Sequence, residues 1–124
     1  MNEIDTKDNM KQLFFNFGGI KNDTGKLRYD LIPTESEEGL AQVYTYGAGK
    51  YDDRNWEKGI KYSRVYAAIR RHLAKFWSGE DLDKESGFSH LSHAAWGCFS
   101  LETYRKRGMT EFDDRPKTNK HQGM

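Results

Sequence analysis

The chain has 124 residues, with 20 Lys and Arg against 19 Asp and Glu, so its formal charge is +1. That length is one domain, and so even a balance leaves no basic surface for a nucleic-acid polymer. Mean hydropathy is −0.97, and no apolar run approaches the roughly 20 residues of a membrane span, yet 14% aromatic residues is too rich for a disordered chain. The single Cys98 excludes an internal disulfide and fits a reducing compartment. With no charged-then-apolar leader at the start, a cytoplasmic protein is expected. A polar chain of this size has a thin core, which predicts a homo-oligomer, dimer or tetramer.

The pattern divides into an N-terminal arm over 1–20, a helical domain over 21–108 and a polar tail over 109–124. In the arm, Met10, Leu13, Phe14 and Phe17 fall at helical spacing, but the segment stops at Gly18-Gly19. A short helix and an extended arm laid on a partner subunit both fit it. Turn chemistry at Asn22-Asp23-Thr24-Gly25 comes next. Pro33 biases Ile32 to an extended backbone, so Lys26 to Ile32 is expected to run extended. Lys26 and Arg28 then face one way, as a phosphate grip or as the polar side of an ordinary half-exposed strand.

The first helix is expected from Thr34 to about Tyr46. Thr34 and Glu37 form a capping box, and Leu40, Val43, Tyr44 and Gly47 an inward stripe. Glu35 and Glu38 share a face as an E-x-x-E pair. They either suit the helix dipole or chelate a divalent ion. Residues 47–61 read as a long loop too aromatic for disorder. Trp56 can stack a base, with Asn55 on a base edge and Lys50 or Arg54 on phosphate; equally, Trp56 can plug the end of the bundle.

A second helix is expected from Ser63, its cap, to Ser78, with Gly79 ending it. Val65, Ala68, Ile69, His72 and Phe76 form its core stripe. His72 therefore points inward, where a lone histidine is usually a satisfied core residue, and Arg70 or Arg71 beside it can reach an anion. The next stretch, Gly79 to Gly97, carries Glu80, Asp81, Asp83 and Glu85, then His90 and His93. Carboxylates beside two imidazoles at a loop-to-helix junction suit Mg²⁺ or Mn²⁺. A solvated acidic loop followed by packed histidines has the same composition.

Ser89 caps the third helix, expected to reach Arg107 before Gly108 stops it. Leu91, Ala94, Ala95, Cys98 and Leu101 make its apolar stripe, and His90, His93 and Gly97 an adjoining one. Gly97 inside a helix marks a close approach of backbone or ligand. The segment FDDRP at 112–116 can dock, whereas the last residues, HQGM, are expected to be unordered. Three helices with these links give an all-α bundle of three to four helices with a long aromatic loop. If the first helix runs antiparallel to the second, Glu35 and Glu38 meet Glu80 and Asp83 at one end of the bundle. Such convergence of carboxylates requires a cation.

The runs GKLRYDLIP, YGAGKYDDRNWEKG, RRHLAKFWSGEDLDKESGFSHLSHAAWG and DDRP resemble the phage dATP/dGTP diphosphohydrolase family, over roughly residues 20–116. That family is similar to the all-α MazG-type nucleotide pyrophosphohydrolases. The resemblance implies cleavage of a purine deoxynucleoside triphosphate to monophosphate and pyrophosphate with Mg²⁺ or Mn²⁺. Glu35-Ser-Glu-Glu38 and Glu80-Asp-Leu-Asp83 match the acidic strings of MazG-type proteins, with His90 and His93 as an alternative to the second pair. The resemblance thus implies Glu35, Glu38, Glu80, Asp83 and His90 as metal ligands, with Glu38, Glu80 and His93 in catalysis. Substrate would lie against Lys26, Arg28, Lys50, Asn55, Trp56, Arg70, Arg71 and His72. The rival class is a non-enzymatic helical phage protein that binds a host factor through an exposed Trp56.

Overall fold

The structure, a computed structural model, describes residues 18–117. The arm residues Met10 to Phe17 and the terminal HQGM lie outside the described residues. Regular structure among those described is all-α, with no strand beyond one isolated bridge. Helix α1 spans Thr34–Lys50, α2 Tyr62–Trp77 and α3 His90–Lys106, with 3₁₀ turns at Tyr29–Leu31, Asn55–Lys58 and Thr110–Phe112. No helix of the described residues is long and apolar enough to cross a membrane.

The chain forms two compact units, divided after Leu31. In the first, the Asn22 side chain accepts from the Thr24 amide at 3.2 Å. The Lys26 amide closes the turn on the Asp23 carbonyl at 3.0 Å. The extended run expected over Lys26 to Ile32 is broken by the 3₁₀ turn, which the Leu31 amide closes on the Arg28 carbonyl at 3.1 Å, and Arg28 pairs with Asp30 through two exposed bonds of 2.7 Å.

In the second unit two of the three helices are capped earlier than expected, α1 by one residue and α2 by two. Pro33 occupies the N-cap position of α1, with its carbonyl on the Glu37 amide at 3.1 Å. Thr34 is therefore one residue too late to cap, and the expected capping box does not form. Its hydroxyl reaches only the Glu35 carboxylate, at 3.5 Å. Likewise Lys61, not Ser63, stands at the N-cap of α2. The amide and hydroxyl of Ser63 instead donate to Asp114, so a carboxylate from beyond α3 caps α2. The segment after Gly108 is thereby docked. Ser89 caps α3 as expected, accepting from the Ser92 amide at 3.2 Å.

Helix α1 continues past Tyr46 to Lys50, so the expected long loop shrinks by a turn. Its end is held by Lys50 on Glu85 at 3.0 Å and by Tyr46 edge-on to Phe88. Both other helices end as glycine at the C′ position predicts. The Glu80 amide bonds the Lys75 carbonyl at 3.1 Å and the Met109 amide bonds Tyr104 at 2.9 Å, with Gly79 and Gly108 at positive φ between.

The core is Tyr62, Val65 and Ile69 of α2 on Ala94 and Tyr104 of α3, sealed by Trp56, Ile60, Leu101, Met109 and Phe112. Tyr104 is fully buried, and its hydroxyl donates to the Trp56 carbonyl at 2.6 Å. Burial pushes its phenol up to about 12. The rotation of α3 differs from the sequence reading. The stripe turned inward is His90, Ala94, Gly97, Ser100 and Tyr104, whereas Leu91, Cys98 and Phe99 are exposed. Phe76 of α2 is exposed too. The reason is Gly97. A Cβ there would fall inside the contact distance of the Ile69 side chain, so Ile69 packs directly on the α3 backbone at the small-residue stripe rather than the bulky one. Helix α1 packs across α3 with Gly39 against Ser92 and Tyr44 against Trp96, its one buried residue being Val43.

Gly97→Ala is expected to destabilise the protein by about 1–3 kcal/mol, since overpacking outweighs the gain in helix propensity. In an Ile69→Ala background the same change should cost far less; equal costs in urea titrations of the two backgrounds would contradict the contact.

A second expectation concerns acid. The Ser63 bonds hold the Asp114 carboxyl below its usual range, and Arg115 holds Asp113 at about 2. A carboxyl depressed in the folded state contributes stability that is complete above the unfolded value of 3.8 and lost as pH falls through the folded one. Asp114→Asn should therefore lower the melting temperature at pH 7 and flatten its fall between pH 4 and 2. An unchanged acid limb would remove the helix-capping role.

Candidate active site

The residues 80–90 form a closed turn, not a solvated loop. Leu82 bridges Ser89 antiparallel, the Asp83 amide donates to Phe88 at 2.8 Å, and the His90 amide donates to Asp81 at 2.9 Å. This clamps Asp83 beside the start of α3. The end of α2, with His72 two turns before the Gly79 stop, supplies the opposite wall.

His90 lies at the centre, only 2% exposed. Its Nε2 meets Glu80 Oε2 at 2.6 Å and its Nδ1 meets His72 Nδ1 at 2.8 Å. The His90 bond, first among several causes, holds the Glu80 carboxyl below the usual glutamate range. An ionised carboxylate only accepts, so Nε2 carries the proton. The contact between the two Nδ1 atoms is satisfied when one of them carries a proton and the other offers its lone pair. The His72 ring also stacks on His93 at 4.5 Å and 5°. Burial, followed by the charges of His93 and His90, lowers the His72 pKa; burial likewise lowers that of His93 against the opposing pull of Asp83. Both rings are therefore neutral at pH 7, as ligands and bases must be.

Asp83 is the third member. Its Oδ2 accepts from the amide and hydroxyl of Ser86 at 3.2 and 3.0 Å and lies 3.7 Å from His93 Nε2. Burial raises its pKa, but the Ser86 bonds and the nearby imidazoles outweigh this, and the net shift is downward. The Ser86 hydroxyl also meets His93 Nε2 at 2.7 Å. One ligand atom each from His72, Asp83 and His90 lie within 4.8 Å of one another, a spacing that can hold a metal ion.

This cluster forms one wall of a cleft of about 1120 Å³ that also takes in the second half of α1 and the 51–57 segment. Of the residues expected from sequence, the cleft gathers Lys50, Asn55, Trp56, Arg71, His72, Asp83, His90 and His93. Glu80 stands behind His90 and orients it. Glu35 and Glu38 are exposed on the first turns of α1 and belong neither to the cleft lining nor to the His72–Asp83–His90 group. The end of α1 that reaches the acidic turn is the Lys50 end, through Glu85. Arg70 is held by the Tyr66 hydroxyl at 2.9 Å, away from the cleft. Lys26 and Arg28 belong to the first unit. Trp56 is half-buried among Tyr44, Trp96 and Tyr104, so it seals the bundle while one side faces the cleft.

Sequence reasoning passed over Lys75 and Ser86. Lys75 was legible, since it lies three residues after His72 on the same helical face. Ser86 had no signal, because only the closed turn brings it under Asp83 and His93.

The family model described as dATP/dGTP diphosphohydrolase, N-terminal, matches residues 18–115. A dATP/dGTP diphosphohydrolase of Salmonella phage PMBT28 is 39% identical over 83 residues, which are 67% of this chain and 28% of that protein. The chain thus spans little more than a quarter of the length of this relative. No solved structure matches it. The match covers the turn, both histidine helices and the docked DDRP segment, and on that extent the chain belongs to the dATP/dGTP diphosphohydrolase N-terminal family.

Proposed function

We propose that this chain hydrolyses purine deoxynucleoside triphosphates, dGTP and dATP, to the monophosphate and pyrophosphate, with Mg²⁺ or Mn²⁺. The observation that carries the reading is the His72–Asp83–His90 group in the wall of an aromatic and cationic cleft. Two imidazoles and a carboxylate fit a divalent ion by their chemistry, and the second nitrogen of His90 already has its carboxylate partner. The name of the phage relative supports the substrate class.

Within this reading Tyr51 and Trp56 take the base, Asn55 its edge, and Arg71, Lys75 and Lys50 the phosphates. A bound ion supplies Lewis-acid activation of the phosphate and of the attacking water. His93, neutral and facing the cleft, takes the proton from that water, and Asp83 and Ser86 hold the ring. Oxygen attacks the α-phosphorus, the bond to the bridging oxygen breaks, and pyrophosphate leaves against Arg71 and Lys75. Glu80 acts through His90. Glu35 and Glu38 serve the dipole of α1 in this scheme. The host-factor reading required an exposed Trp56, and the half-buried ring disfavours it.

The direct test is product analysis after incubation with each deoxynucleoside triphosphate and Mn²⁺ or Mg²⁺. Pyrophosphate and monophosphate from dGTP or dATP are expected; no release from any of them overturns the proposal. His93→Ala should lower kcat about 10²–10⁴-fold, the usual contribution of a general base. Arg71→Ala and Lys75→Ala should act on KM as well. Glu80→Gln should abolish turnover while the fold survives, and wild-type turnover in that variant would remove Glu80 from the scheme.

The reading includes a homo-oligomer acting in the host cytoplasm. Trp77 is 88% exposed, and Tyr66, Leu73, Leu91 and Phe99 are exposed on the same two helices, apolar surface that a second copy could cover. Light scattering should give a multiple of 14.5 kDa at micromolar concentration; the monomer mass would remove this part.

A further inference from the structure

Resting on the cleft being a hydrolytic metal site, we propose that His72 Nδ1, His90 Nδ1 and an Asp83 carboxylate oxygen form a three-ligand site selective for a nitrogen-binding first-row transition ion, of the Zn²⁺, Co²⁺ or Fe²⁺ kind, over Mg²⁺. Glu80 and Ser86 are its positioning residues.

Three observations carry this. The first is the approach of two like atoms. The two Nδ1 atoms lie 2.8 Å apart. Two nitrogens bound at about 2.0–2.1 Å to one ion lie about 2.9 Å apart at a right angle and about 3.4 Å apart at the tetrahedral angle, so the rings part by at most about half an ångström to admit the metal. The second is the proton arrangement. Glu80 fixes the proton of His90 on Nε2 and aims Nδ1 at the cluster. This is the carboxylate–histidine–metal pattern, present before any ion binds. On binding, the proton between the two Nδ1 atoms moves to His72 Nε2 or to solvent, and both lone pairs turn to the ion. The third is Asp83. Ser86 occupies Oδ2 with two bonds, and among the described residues Oδ1 accepts none. One oxygen is therefore anchored and the other is free to ligate.

The donor set decides the metal. Mg²⁺ requires hard oxygen ligands and keeps several waters. Two imidazoles with one carboxylate, leaving positions open, suit a softer divalent transition ion. Mg²⁺ then enters the cleft on the triphosphate, and the two ions have different origins.

The test uses the full chain, stripped of metal and free of nucleotide. Co²⁺ is followed by its visible absorption and Zn²⁺ by calorimetry, with one equivalent per chain expected. His72→Ala and Asp83→Asn should each weaken binding at least tenfold, and Glu80→Gln about 10–100-fold as an outer partner. Millimolar Mg²⁺ should not displace the ion. Because Asp83→Asn can loosen the turn, nitrogen NMR of the wild-type histidines provides a second reading: Zn²⁺ should shift two Nδ1 signals and leave His93 Nε2 in place. Unchanged binding in folded His72→Ala, displacement by millimolar Mg²⁺, or loss of binding in Glu35→Gln/Glu38→Gln overturns the site. Tight Zn²⁺ binding without triphosphate hydrolysis would sink the proposed function and leave the metal site standing. Hydrolysis with Zn²⁺ bound elsewhere would do the opposite.

Discussion

The structure depends on a buried imidazole satisfied at both ends. His90 is 2% exposed, and its two nitrogens meet Glu80 and His72. A buried polar group without a partner costs about 1–3 kcal/mol, more when a charge is left behind. The pairing therefore fixes three elements at once. Glu80 follows the glycine stop of α2, His72 sits two turns before that stop, and His90 opens α3. None of the three can shift without orphaning an atom of another.

That constraint works together with the close approach at Gly97. The Ile69 contact sets how near α2 and α3 lie and which stripe of α3 turns inward. The rotation that buries Gly97 also buries His90, seven residues earlier and two turns away on the same face. Helix packing and site geometry are in this way one decision. The exposure of Leu91, Cys98 and Phe99 is the consequence on the opposite side.

The turn between the helices shows how a dense run of carboxylates is made into a site. Glu80, Asp83 and Glu85 each have a different partner, respectively His90, Ser86 and Lys50. Their repulsion is answered one by one, without a shared cation. Asp83 alone faces the histidines with an oxygen to spare. This separation of roles explains why charge composition suggested a broader ligand set than the geometry gathers.

Much of this was legible along the chain. Glycine stops at Gly79 and Gly108, the Ser89 cap, the apolar stripe Val65–Ile69 and the runs shared with the phage family all depend on neighbours within a few residues, and all appear in the structure as read. The first helix begins at Thr34 as read, but the caps expected at Thr34 and Ser63 did not form, since Pro33 and Lys61 hold the cap positions and Ser63 bonds the distant Asp114. The convergence of Glu35 and Glu38 with the acidic turn was also beyond local reasoning. It rested on which end of α1 meets the turn, and the structure brings the Lys50 end to Glu85. Sequence determined the helices, their stops and the chemistry held near residues 72–93. Only the tertiary structure decided which face of α3 is buried and which nitrogen of His90 is free, because both follow from a glycine that admits the Ile69 side chain and a carboxylate that claims one proton.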